Sequence, residues 1–203
     1  MTSDTDKFIE LLKPNYNDAV KYCRALCTNH SSDDAQDVLQ QSLLQALEKF
    51  DSLNDLNRFR SWFFTIITRV FYSSIRKYFW RRFLSLNEIK KSENIPEIYT
   101  HSENIETKMF LNKALSRLSN KERSAILLFE LAGFTIEEIK NIQNEKSDST
   151  VKSRLSRTRQ KLKRYLLGSE NKGIKKLKKS STNLIEDIEN ETIRLSAEYN
   201  RGK

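Results

Sequence analysis

Between Val151 and Leu166 two kinds of side chain share one helical stretch. Val151, Leu155, Thr158, Leu162 and Leu166 fall on one face at 3.6-residue spacing, with Lys152, Ser153, Ser156, Arg157, Gln160 and Arg164 opposite or beside it. Cations and small polar groups on a rigid face suit the phosphates and base edges of a duplex, and the apolar side anchors that face to a domain. The spacing predicts a helix starting near Ser149, at a side chain able to cap it. Thr135 and Glu138 have the T-x-x-E form of a capping box, which predicts another helix just upstream. Two short helices and a turn, the second apolar on one side and basic on the other, describe a helix-turn-helix seated in a major groove.

A second constellation runs from Phe59 to Phe83, where ten aromatics are interleaved with basic residues. Periodicity buries Trp62, Phe63 and Ile66. Aromatic faces stack on unpaired bases at roughly 1–3 kcal/mol each while Arg and Lys follow the backbone, so the remainder reads as a single-strand binder. A third lies upstream. Asp34–Leu47 forms an amphipathic helix with Val38, Leu39, Leu43, Ala46 and Leu47 on its apolar side. Asp37, Gln40, Gln41 and Gln45 lie on or near the other, as a solvated face or as oriented hydrogen-bonding groups for docking a protein.

No catalytic constellation is present. His30 and His101 stand beside no obvious catalytic nucleophile or acid, and no phosphate-binding or metalloprotease motif occurs. Cys23, Cys27 and His30 share a helix face but supply three ligands where structural zinc takes four. They also continue the apolar line of Tyr16, Val20 and Leu26, so both cysteines read as core residues. Asp33 and Asp34 read as a capped helix start. The sequence implies no cofactor, no metal and no enzyme.

These stretches must be positioned by helices. Gly and Pro together number six in 203 residues, which disfavours a turn-rich sheet protein. The net charge of +9 points to a polyanionic partner. No apolar run reaches the roughly 18 residues that span a bilayer, and the N-terminus lacks a signal-peptide pattern, so a cytoplasmic protein without membrane insertion is expected. Charge is segregated: six acids and one base lie between Asp33 and Asp55, and no acid between Asn57 and Asn87. Around Pro96 periodicity disappears, which predicts a flexible linker. The expected fold is all-α, with small helical domains at 5–88 and 106–168 joined by a linker at 89–105, the second domain a helix-turn-helix. Gly168 reads as a helix C-cap. A tail at 169–203 follows, basic at first and then amphipathic at Leu184, Ile188, Leu195 and Tyr199, fitting either a solvated tail helix or a docking helix.

Four segments in order resemble the extracytoplasmic-function (ECF) sigma factors of bacterial RNA polymerase. Asp34-Ala-Gln-Asp-Val-Leu-Gln-Gln resembles D-A-E-D-L-[VI]-Q-[ED], and Phe59-Arg-Ser-Trp-Phe-Phe-Thr-Ile resembles F-R-[TS]-W-L-[YF]-x-I. Leu118-Ser-Asn-Lys-Glu-Arg resembles L-[PS]-x-x-[EQ]-R, and Thr150-Val-Lys-Ser-Arg-Leu-Ser-Arg-Thr-Arg resembles T-V-K-S-R-L-x-R-A-R. The resemblance implies docking on core RNA polymerase through Asp37, Gln40 and Gln41. It implies −35 promoter DNA contacts by Ser149, Thr150, Lys152, Ser153, Arg154, Ser156 and Arg157. It implies −10 single-strand contacts by Arg69, Tyr72, Ser73, Arg76 and Lys77, and regulation by an anti-sigma protein. Arg69 stands where the family usually has Asn, and Ser73 where Asp is frequent, which implies an unusual −10 preference. The turn Gln143–Ser149 lacks the family's Gly and leaves Asn144 or Asp148 to adopt any left-handed angle. A stand-alone helix-turn-helix regulator is the alternative, and it would leave Asp34–Leu47 and Phe59–Phe83 without a purpose.

Overall fold

Three helices of this chain begin with the same device. Ser31 with Asp34, Ser119 with Glu122 and Thr135 with Glu138 each form a reciprocal capping box, the hydroxyl accepting from the third backbone N–H and the carboxylate accepting from the cap's own N–H. They open α2 (Ser32–Glu48), α5 (Asn120–Glu130) and α6 (Ile136–Gln143). The computed structural model describes residues 4–84 and 105–168. The remaining helices there are α1 (Asp4–Leu26), α3 (Phe59–Leu84), α4 (Ile105–Ser116) and α7 (Asp148–Gly168). Short 3-10 turns at Phe50–Ser52 and Leu56–Arg58 bridge α2 to α3. The all-α expectation holds, and no strand occurs among the described residues. The expected linker around Pro96 and the tail beyond Gly168 lie outside them.

The N-terminal helices close around aromatics. Phe8, Phe50 and Phe59 meet edge-on with centroids 5.4 Å and 5.7 Å from Phe8, and Phe63 stacks on Phe59 at 5.9 Å. Each buried ring contributes roughly 1.5–3 kcal/mol by burial, and the edge-on geometry adds to that. Helix α2 packs through Ala35, Val38, Ser42 and Ala46, all buried. That stripe of small residues turns Leu47 outward, to 44 % exposure, contrary to the expectation that it belongs to the apolar side. Two other residues also sit further out than periodicity suggested. Tyr16 is 42 % exposed, and Trp62 is only half-buried because Phe59, Phe63, Ile66, Ile67 and Val70 already fill the inward stripe of α3. Phe63 and Ile66 are buried as expected.

Contacts divide the chain into one unit up to Leu155 and a second from Ser156. Within the first unit, α5 and α6 pack directly on α1 and α3. Three interactions form this seam. Arg123, fully buried on α5, donates to the carbonyl oxygens of Leu115 (3.0 Å), Leu118 (3.1 Å) and, across the seam, Leu26 (2.7 Å). The buried Tyr22 hydroxyl lies 3.0 Å from Thr68 Oγ1 on α3 and 2.8 Å from Ser124 Oγ on α5. Phe134, between α5 and α6, meets Phe64 edge-on at 5.0 Å, while the Arg60 guanidinium covers its other approach at 4.5 Å and donates to the Ala132 carbonyl. Gly133 adopts φ +66° there, a left-handed angle that folds Phe134 back toward α3 and that a side chain would strain.

Cys23 and Cys27 are core residues, at 1 % and 2 % exposure. Burial pushes both thiols up, Cys27 to about 12. Neither thiol is expected to react with a disulfide reagent at pH 8 in the folded protein; ready labelling without denaturant would contradict this packing.

Candidate nucleic-acid interface

The helix-turn-helix consists of α6, a turn and α7. The T-x-x-E box starts α6 as the sequence indicated, and Asn144, at φ 52°, ends it. The chain turns with the Glu145 N–H donating to the Lys140 carbonyl at 2.9 Å. Helix α7 starts one residue before the expected Ser149, because the capping side chain is Ser147, whose Oγ accepts from the Thr150 N–H at 3.3 Å. Ser147 also bonds the Ser149 and Thr150 hydroxyls at 2.8 Å and 3.0 Å. Lys140 pairs with Asp148 at 2.9 Å and ties the end of α6 to the first turn of α7.

A polar hub beneath the turn holds the helices at their angle. The Glu145 carboxylate accepts from Arg154 at 2.8 Å and from Lys121 of α5 at 2.9 Å. Arg154 also donates to the Gln143 side chain at 2.6 Å, and Gln143 in turn donates to the Lys121 carbonyl at 3.1 Å. Sequence reasoning missed Glu145 and Gln143. The available signal was an acid in a turn nine residues before an arginine, which is too common to single out. Burial tends to raise the Glu145 carboxyl, but the Lys121 and Arg154 hydrogen bonds prevail and hold it below the usual carboxylate range.

The expected −35 residues therefore divide. Lys152, Ser153, Ser156 and Arg157 are exposed on α7, with Val151, Leu155, Thr158 and Leu162 buried on its other side. Ser149 is exposed and Thr150 half-buried at the first turn. Arg154 is instead spent on the hub, its side chain 13 % exposed. On α3, Arg69, Arg76 and Lys77 are exposed, while Tyr72 and Ser73 are half-buried. Arg69, Tyr72, Ser73 and Arg76 line a cavity of about 700 Å³ with Gln45, and Asn120 and Lys121 of α5 form its far wall. The Tyr72 hydroxyl is buried without a hydrogen-bond partner. Burial raises its pKa, with Ser124 and Gln143 close enough to oppose the rise. Three of the aromatics expected to stack on bases are instead core: Phe59, Phe64 and Phe71 are buried, beside Phe63, whose burial was expected. The side chains of Tyr78, Phe79, Trp80 and Phe83 lie outside what the structure describes. On α2, Asp37, Gln40 and Gln41 are exposed together.

This architecture has known counterparts. The Sigma-70 region 2 family matches residues 11–81, and the Sigma-70 region 4 family matches residues 111–162. The ECF RNA polymerase sigma factor EcfG of Rhodopseudomonas palustris is 30 % identical over 151 residues, covering 73 % of this chain and 81 % of that protein. The RNA polymerase sigma factor SigV of Bacillus subtilis is 29 % identical, over 63 % of this chain and 72 % of its own. Among solved structures, the sigma factor RpoE of Bartonella quintana, in complex with the anti-sigma factor NepR, superposes with a TM-score of 0.68 at 30 % identity, covering 79 % of this chain and 96 % of that one. CnrH, in complex with the cytosolic domain of CnrY, shares the fold with a TM-score of 0.57 at 22 % identity, over 79 % and 88 % of the two chains. The chain belongs to the ECF sigma factors of RNA polymerase. It is a promoter-specificity factor for transcription initiation, and no described helix is long and apolar enough to cross a membrane.

The hub makes a prediction of its own. Glu145→Gln removes the charge that two cations share and is expected to cost about 1–3 kcal/mol of stability at pH 7. The folded carboxyl titrates below its unfolded value, so its contribution is complete above the unfolded range and disappears as pH falls through the folded value. Denaturant unfolding of wild type and variant from pH 7 downward is expected to converge at acid pH, and parallel curves would contradict the assignment.

Proposed function

We propose that this chain directs initiation through three separate surfaces and contributes no chemical step of its own. On α7, Lys152, Ser153, Ser156 and Arg157 read the −35 duplex, with Ser149 and Thr150 at the phosphates beside the helix N-terminus. Arg154 positions that helix through Glu145 and Gln143 rather than reaching for a base. On α3, Arg69, Arg76 and Lys77 follow the opened −10 strand, and Tyr72 and Ser73 form the floor that receives an unstacked base. Arg69 in the position usually held by Asn exchanges an amide's base-pair-like hydrogen bonds for a cation's grip on phosphate, so −10 selectivity is looser there. Asp37, Gln40 and Gln41 of α2 dock on core polymerase, and the protein works beside it in the cytoplasm. The anti-sigma factor NepR bound to RpoE supports a protein partner of anti-sigma type here as well.

The observation that carries the reading is the two-sided helix α7, with exposed Lys152, Ser153, Ser156 and Arg157 backed by buried Val151, Leu155 and Thr158. Run-off transcription with core polymerase on a promoter-fragment library tests it. Transcripts that depend on this chain are expected, and absence of core binding would overturn the proposal. Lys152→Ala with Arg157→Ala is expected to weaken −35 duplex binding about tenfold or more and to flatten its salt dependence by about two ions. Asp37→Ala with Gln40→Ala is expected to abolish transcription while leaving duplex binding intact. A stand-alone regulator would be indifferent to that pair, so the two readings separate on one gel.

A further inference from the structure

We propose that the cleft between α3 and α5 is a binding site for a nucleoside polyphosphate, a small ligand that shares Arg69 and Arg76 with the −10 strand. The site stands on its own geometry; only its competition with that strand rests on the proposed role of α3 in promoter reading.

The lining sets the charge of the ligand. Arg69 and Arg76 lie about two helical turns apart on α3, with Ser73 between them, and Asn120 and Lys121 wall the cleft from the start of α5. Among the described residues no carboxylate borders the cleft, and neither Arg69 nor Arg76 makes an ion pair or a hydrogen bond. Other cations of the same unit find acids: Arg58 pairs with Asp55, Arg60 with Asp18 and Lys140 with Asp148. Lys121 pairs with Glu145, but Arg154 gives that carboxylate a second cation, so a positive charge is left over beside the cleft. Asn120 and Lys121 also occupy the first two positions of α5, where backbone N–H groups have no intrahelical acceptor and add positive potential. Phosphate groups suit such a set. They bring several charges and many acceptor oxygens, and a guanidinium binds them bidentately.

The volume sets the size. At about 700 Å³ the cleft falls in the range of small-molecule sites and suits one nucleotide rather than a length of strand. A bare triphosphate would leave much of it to water. Val70, Tyr72 and Ile75 add apolar surface beside the donors, which a nucleoside would cover and an inorganic anion would not.

The test is a titration of the full-length protein with fluorescently labelled ATP, ADP and AMP, and with inorganic tripolyphosphate as competitor. Affinity is expected to fall from ATP to ADP to AMP, and tripolyphosphate is expected to compete less well than unlabelled ATP. Arg69 and Arg76 are exposed, so Arg69→Ala with Arg76→Ala leaves the core intact and is expected to weaken ATP binding about tenfold or more. Asn120→Ala, on the opposite wall, is expected to weaken it about threefold. Lys21→Ala with Arg24→Ala removes the same charge from the exposed side of α1 and is expected to change it by less than about twofold. Equal losses in the two double variants would overturn the site in favour of diffuse attraction for polyanions. Tripolyphosphate competing as well as ATP would overturn the nucleoside part. An unlabelled single-stranded −10 segment should displace ATP. Absence of ATP binding while that strand still binds would overturn the site alone. ATP binding that the strand does not displace would support the site and overturn the −10 assignment of Arg69 and Arg76.

Discussion

A single guanidinium organises this molecule. Arg123 is fully buried, and burial lowers its pKa to about 10, which leaves it charged at neutral pH. A buried cation without partners would cost far more than a domain of this size can tolerate. Here three main-chain carbonyls surround it, at the ends of three different segments: Leu26 closing α1, Leu115 in the last turn of α4, and Leu118 just before α5. Carbonyls at helix C-termini have no intrahelical partner and carry the negative end of the helix dipole. The arginine therefore satisfies the Leu26 and Leu118 carbonyls, and adds a second donor to Leu115, which already accepts from the Leu118 N–H, while all three satisfy it. The directions of α1, α4 and α5 follow from that one requirement.

The same economy recurs at the helix-turn-helix. Glu145 plays for the turn the part Arg123 plays for the seam, one charged group shared between Arg154 and Lys121, while Gln143 ties Arg154 to the backbone of α5. Committing Arg154 to this hub ties the first turns of α7 to the turn and to α5, with Lys152 exposed beside it. Promoter reading by such a helix depends on orientation as much as on charge, since phosphate contacts position and base contacts specify. The polar hub thus links packing to the presentation of the exposed side of α7, and the polar seam joins α1 and α3 to α5 and α6.

Features that depend on local periodicity and capping were legible in the sequence. The Thr135–Glu138 box, the two faces of α7, the buried cysteines and the left-handed Asn144, one of two candidates with Asp148, all follow from side chains a few residues apart. What was not legible depends on pairings distant in sequence. Nothing local to Arg123 marks it as a partner of Leu26, 97 residues away: the Leu118–Arg123 motif singles out the arginine but not what it touches. The aromatic-basic run showed the limit most clearly. Its composition suggested base stacking, but Phe59, Phe64 and Phe71 are packing groups, and Tyr72 faces the second half of the chain. Leu47 and Tyr16 were misplaced for a related reason, because periodicity gives the mean direction of a face and not how far the neighbouring helix extends over it.

The central claim is that α1 and α5 are energetically joined across the seam. The most direct test is a double-mutant cycle on Tyr22→Phe and Ser124→Ala, read by denaturant unfolding of the full chain. Tyr22 and Ser124 are 102 positions apart and meet through one hydrogen bond of 2.8 Å. A coupling of about 0.5–1.5 kcal/mol between the two changes is the predicted result. Strict additivity would mean that the two helices do not meet in solution, and it would contradict the account.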